Sequence, residues 1–176
     1  KGFRFMSRQK DDWYPTPPAA TKALLDVEGF GHEIWEPACG DGAISKLLDD
    51  WGFKSISTDL NDYSYGKSGV DFLLESQRLA DSIVTNPPYR LATDFIHHAI
   101  TLGVHKHAWL LRLSFLEGIA RHKRLYQNFP PARIWVFSKR LTIWRGDQEV
   151  NGSGTTAYAW FIWERGKYED TKIGWI

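Results

Sequence analysis

The chain has 176 residues, 43% apolar and 24% charged, with a formal net charge of +1; that is one domain with a real core and no room for a second large one. A single cysteine, Cys39, excludes an intrachain disulfide framework, and no apolar run approaches membrane-spanning length, so a reducing, cytoplasmic setting is expected. The charge is uneven: 12 acidic and 4 basic residues lie from Asp26 to Asp81, against 8 basic and 1 acidic from Arg112 to Arg145, a balance that suits contact with a phosphate backbone.

Residues 1–12 are polar and basic and read as a flexible arm ahead of a single domain over residues 13–176. Tyr14-Pro15-Thr16-Pro17-Pro18 is extended and runs into a helix start, with Thr16 placed to be the N-cap and Pro17 the first helical residue. Residues 19–27 follow as helix, with Ala20, Ala23, Leu24 and Val27 on one face and Gly29 as its stop. A short strand over 32–36 enters Pro37-Ala38-Cys39-Gly40-Asp41-Gly42, and 43–51 form the next helix. A strand, a glycine-rich turn and a helix make the ligand-binding corner of an open α/β sheet. The second strand spans 53–58 and ends at Asp59, 17 residues after Gly42, where a ribose-binding carboxylate is expected. Residues 63–69 read as a loop and 70–73 as a third short strand or a strand end.

The fourth strand, 81–85, delivers Asn86-Pro87-Pro88-Tyr89. Two prolines must stop a strand, because the ring fixes φ and removes the backbone donor. The stiff loop then holds an amide side chain, the Pro87 carbonyl and an aromatic face. Two acceptors can bind both hydrogens of an NH2 group while a ring stacks on its plane, which suits an exocyclic amine of adenine or cytosine, or a carboxamide. Beyond it come a helix over 91–102, a strand from 105 or 108 to 113, a helix over 117–127 and a strand over 133–138. Residues 139–156 form a long loop, and 158–164 a closing strand dense in aromatics. Alternating strands and helices predict one mostly parallel sheet with helices on both faces.

The glycine turn is bracketed by carboxylates, Glu36 before it and Asp41 inside it, whereas a pyrophosphate site needs a bare helix N-terminus. The carboxylates favour a cation. S-adenosylmethionine carries a sulfonium and an ammonium and no phosphate; Asp59 and Asp71 are spaced to take the hydroxyls and adenine amine of such a cofactor.

In their order, Tyr14 to Pro18, Glu36 to Gly42, Asp59, Asp71-Phe72 and Asn86 to Tyr89 resemble the successive motifs of amino-group DNA methyltransferases. The closest likeness is to the N6-adenine type, in a small prophage- or phage-like form. The resemblance implies a Rossmann-like class I fold: a seven-stranded, mostly parallel sheet whose last strand, here 158–164, runs antiparallel. It implies S-adenosylmethionine as cofactor, with Tyr14 and Thr16 beside it and Thr16 at its methionine carboxylate. Glu36, Ala38 and Gly40 would border the methionine end with Asp41; Asp59 would take the ribose, Asp71 the adenine amine and Phe72 an adenine face. Asn86 and Pro87 would accept from the target NH2, Pro88 would stiffen the loop, and Tyr89 would stack on the flipped base. Larger members carry a separate target-recognition domain, and none is expected in this chain. DNA contact then falls to Arg112, Arg121, Lys123, Arg124, Lys139, Arg140 and Arg145, with Phe115 and Trp144 walling the base pocket.

No histidine, cysteine or carboxylate set has metal-ligand spacing, so no metal and no membrane partner are expected; the oligomeric state stays open. Three other readings also stay open: methylation of RNA adenine, methylation of a protein glutamine, and an inactive nucleic-acid-binding module that retains a methyltransferase fold.

Overall fold

The computed structural model describes residues 14–143 and 156–176. Seven strands form one sheet: β1 Glu33–Glu36, β2 Lys54–Ser57, β3 Ser82–Thr85, β4 Lys106–Arg112, β5 Arg133–Val136, β6 Tyr158–Glu164 and β7 Lys172–Trp175, in the order β2-β1-β3-β4-β6-β5-β7. β2, β1, β3 and β4 pair in parallel, β6 runs antiparallel between β4 and β5, and β7 adds in parallel to β5.

Two expectations about the strands change here. Residues 70–73 form no strand: Asp71 accepts from the Leu73 amide at 3.0 Å and caps a 3-10 turn over Phe72–Leu74. A side chain that binds its own backbone competes with ladder pairing, and the turn wins. The antiparallel strand is β6 as expected, but it does not close the chain, because β7 follows and completes the seven.

Helices α1 Pro18–Val27 and α2 Ala43–Asp50 cover one face of the sheet, and α3 Ala92–Thr101 covers the other. The division follows from the two-residue period of a strand. Along β4, Ala108 and Leu110 join Ala20, Leu24, Ile44 and Leu48, while Trp109 and Leu111 join Phe95, Ile96 and Ala99. α1 begins one residue later than expected: Pro17 is its N-cap and Thr16 turns away, while Val27 is exposed. The helix expected over 117–127 is a single turn, α4 Ile119–Arg121, that widens into a π-turn over His122–Tyr126.

Trp35, Trp109, Trp160 and Trp163 are fully buried, and each indole N–H has a partner: Thr58 Oγ1, His107 Nδ1, the Ala20 carbonyl and the Phe129 carbonyl. Satisfied indoles make large apolar anchors; truncating one to alanine typically costs about 3–5 kcal/mol. His107 can accept because burial holds it neutral, with a pKa of about 3.

Candidate active site

The loops leaving the carboxyl ends of β1, β2 and β3 enclose a cavity of about 250 Å³, the position at which open α/β sheets bind ligands. All nine residues expected at a cofactor, Tyr14, Thr16, Glu36, Ala38, Gly40, Asp41, Asp59, Asp71 and Phe72, line it.

The turn after β1 is shaped by glycines in the left-handed region, Gly40 at φ 51° and Gly42 at φ 82°. A Cβ on Gly42 would meet the Tyr65 ring at 2.4 Å, so the close approach of the loop after β2 also requires glycine. Asp59 is locked against this turn, accepting from the Gly40 amide at 2.9 Å and the Asn61 amide at 2.8 Å. Glu36 reaches the first turn of α2, where the Ser45 amide (2.9 Å) and hydroxyl both donate to Oε2. Burial pushes the Glu36 carboxyl well above the usual range; the Ser45 bonds oppose this, and the negative charges of Asp59 and Asp41 add to it. Cys39, buried beside the same carboxylates, is pushed up to about 12 and stays a thiol.

Phe72 is 1% exposed, packed between Trp35 at 5.0 Å and Phe95 at 4.9 Å, so it forms the cavity floor and presents no free face. Phe95 and Arg90 line the cavity too, and the sequence reading missed both. Arg90 directly follows Tyr89, and Phe95 lies on the buried stripe of α3; that adjacency is the signal they offered. Among the described residues Arg90 is the single cation in a wall that carries Glu36, Asp41, Asp59 and Asp71.

At the end of β3, Asn86 Nδ2 donates to the Tyr14 carbonyl at 2.9 Å and to Thr16 Oγ1 at 3.2 Å. Both amide hydrogens are therefore engaged by the chain, which fixes the amide plane and leaves Oδ1 as the acceptor. Pro88 lines the cavity beside it, whereas Pro87 and Tyr89 lie just outside. Tyr89 packs against Tyr14 at 5.4 Å and Tyr158 at 6.2 Å, with the Arg112 guanidinium 5.0 Å over its ring. Its hydroxyl lies beside Tyr158 and Asn86 without reaching hydrogen-bond geometry to either, and burial pushes its pKa upward.

The expected nucleic-acid residues divide. Arg112, Lys123, Lys139 and Arg140 are exposed; Arg112 is the last residue of β4 and Lys139 and Arg140 come after β5, at the same end of the sheet as Asn86. Arg124 is exposed but pairs with Asp94 at 2.7 Å. Two expectations are corrected. Phe115 is 7% exposed and packs on Phe161 at 5.7 Å, so it is core and walls no base pocket. Arg121 donates to the carbonyls of Phe115 and Glu117 and lies 4.1 Å over the Phe115 ring, so it braces the turn after β4. Trp144, Arg145 and the arm at 1–12 lie outside the described residues. Arg133, part of the basic segment, sits at the far end of β5 with Glu28 at 2.5 Å and Glu164 at 2.7 Å. Among the described residues no group of three His, Cys, Asp or Glu side chains is placed to hold a metal, and no helix is long and apolar enough to cross a membrane.

No protein-family model and no curated protein matches the chain. Solved structures do. A protein described as a type I restriction-enzyme modification subunit, from Vibrio vulnificus YJ016, aligns with TM-score 0.62 and 12% identity over 97% of this chain and 48% of its own. One described as an RNA methyltransferase, from Pyrococcus horikoshii, aligns with TM-score 0.64 and 14% identity over 92% of both. Magnesium protoporphyrin IX methyltransferase from Synechocystis PCC 6803, with bound SAH, aligns with TM-score 0.55 and 13% identity over 84% of this chain and 80% of its own. The chain thus spans about half the length of the restriction-modification subunit, 48%. The fold is that of the class I S-adenosylmethionine-dependent methyltransferases.

Proposed function

We propose that the chain transfers a methyl group from S-adenosylmethionine to the exocyclic N6 of adenine in DNA, acting on a base flipped out of the duplex. The observation that carries this reading is the corner after β3. Asn86 has both amide hydrogens tied to Tyr14 and Thr16, which leaves its Oδ1 as an acceptor in the cavity wall.

The cavity fits the donor. Glu36, Asp41, Asp59 and Asp71 line it with one cation, Arg90, a wall that suits a ligand with two positive centres and a carboxylate once Glu36 ionises. When bound there, S-adenosylmethionine would supply a methyl on a positively charged sulfur, the N–C bond forming from the amine lone pair and the C–S bonding pair being left on sulfur as a neutral thioether. Asn86 Oδ1 and the Pro87 carbonyl each hold one hydrogen of the amine, which favours a pyramidal nitrogen whose lone pair faces the methyl. They also stabilise the positive charge that grows on the base. No strong base is needed, because the nitrogen turns acidic only once alkylated and then releases its proton through these acceptors to water. Tyr89 supplies the stacking surface, and placement contributes most of the rate. Flipping costs a few kcal/mol; stacking on Tyr89 can return about 1–3 kcal/mol, and phosphate contacts from Lys123, Lys139 and Arg140 assist.

The test offers labelled S-adenosylmethionine together with unmethylated duplex DNA, single strands, structured RNA and glutamine peptides, and then identifies the labelled product. N6-methyladenine in DNA is the expected result. Label in RNA adenine or in glutamine would move the substrate to that class, and no label in any of them would reject the reading.

A further inference from the structure

If Tyr89 stacks on the target, something must leave its ring first. Among the described residues two rings and one cation lie against it: Tyr158 is 5% exposed at the start of β6, and the Tyr14 backbone carbonyl accepts from Asn86. The third, Arg112, is the last residue of β4, exposed, directly opposite Tyr158 in the ladder. Its guanidinium lies 5.0 Å over the Tyr89 centroid and makes no ion pair or hydrogen bond among the described residues. Arg121 and Arg124 differ, because one is bound to backbone carbonyls and the other to Asp94.

We propose that Arg112 is a positioning residue for the target base. It covers the Tyr89 ring in the free protein, where a flipped base would stack, and moves to a flanking phosphate as the base takes its place. A guanidinium is planar and weakly hydrated, so it covers a ring as a base does, and it binds phosphate with paired donors. The exchange needs a ligand that brings a flat face and a phosphate together. A nucleotide in a strand does so, whereas a nucleoside or an amide side chain does not. Arg112 therefore opposes the second kind of ligand and favours the first. This inference rests on the proposed function, in particular on Tyr89 as the stacking surface.

The experiment measures two bindings on the full chain saturated with S-adenosylhomocysteine, for wild type, Arg112→Ala and Arg112→Lys. Labelled adenosine is followed by equilibrium dialysis, and unmethylated mixed-sequence duplex DNA is titrated across a salt series. With the cover gone, Arg112→Ala should bind adenosine about two- to fivefold more tightly than wild type, the scale of one exposed cation–π contact. It should bind DNA more weakly, with a log–log salt slope shallower by about one, the loss of one phosphate contact. Arg112→Lys should keep the wild-type slope while gaining part of the adenosine affinity. Opposite signs for nucleoside and DNA are the expected result; affinities that move together, or do not move, overturn the proposal. A wild-type chain that methylates no nucleic acid would instead strike the proposed function, and the Arg112 comparison does not depend on turnover.

Discussion

In the proposed site, a proton and a cationic ligand would compete at Glu36. Burial raises its pKa, and the nearby carboxylates Asp59 and Asp41 raise it further, so the free protein keeps it protonated above the ordinary 4.5. Its contribution to folding is therefore full below about pH 4.5 and is lost as pH rises through the raised value. A cation in the cavity favours the ionised form and should expel the proton. Calorimetry in buffers of different ionisation enthalpy is expected to find proton release on binding S-adenosylmethionine, with affinity rising with pH until Glu36 is ionised in the free protein. Glu36→Gln should remove that rise. An affinity indifferent to pH in wild type would detach Glu36 from the donor.

At the scale of elements, the turn between β1 and α2 is constrained by both backbone and neighbours. Gly42→Ala must take a side chain at φ 82° and place its Cβ 2.4 Å from Tyr65. The backbone term alone is about 1–2 kcal/mol. Urea unfolding should show a larger loss than that, and a second substitution, Tyr65→Ala, should recover the steric part and leave the backbone part. Equal losses with and without Tyr65 would mean that the loop after β2 moves away freely.

The same scale shows what the sequence made legible. Glycines, prolines and carboxylates in fixed order located the cavity, because each is required by local geometry that a sequence displays directly. β3 and β6 were readable as apolar runs for the same reason. β7 was not: Lys172-Ile173-Gly174-Trp175 is short, broken by a glycine, and exposes Ile173 at 54% and Trp175 at 68%. It exists because β5 offers an edge, and Gly174 is needed there because a Cβ would meet the Trp135 ring at 2.3 Å. Tertiary placement also decided Phe115 and Arg121. Aromatic and basic residues near a catalytic loop look alike in sequence whether they face a ligand or each other.

Across the whole molecule, a cluster of ion pairs and the cavity lie at opposite ends of the strands. At the end opposite Asn86, Glu28 accepts from Arg133 at 2.5 Å and Trp135 at 2.7 Å and pairs with Lys106 at 2.5 Å, joining α1 to β4 and β5. Burial opposes ionisation of Glu28, yet these bonds hold its pKa below the ordinary value. Glu164 is likewise disfavoured by burial and held by Lys167 and Arg133 at about 2. Both carboxylates thus contribute stability above about pH 4.5 that is lost as pH falls, for Glu164 down to about 2. Glu28→Ala removes the carboxylate shared by Lys106, Arg133 and Trp135, while Arg133 keeps Glu164 and Lys106 keeps the Gly29 carbonyl, so urea unfolding at pH 7 should show a loss of about 1–3 kcal/mol. Affinity for S-adenosylmethionine should hold under folded conditions; a parallel loss of affinity would join the two ends.

The most direct measurement of the central claim compares Asn86→Ala with wild type in two assays, S-adenosylmethionine affinity and methyl transfer to DNA. Losing one preorganised acceptor at the reacting nitrogen should lower transfer at saturating donor by about 10²–10³-fold or more, while donor affinity falls far less, through the Tyr14 and Thr16 contacts that Asn86 also holds. Transfer that survives the substitution with donor affinity intact would contradict the account.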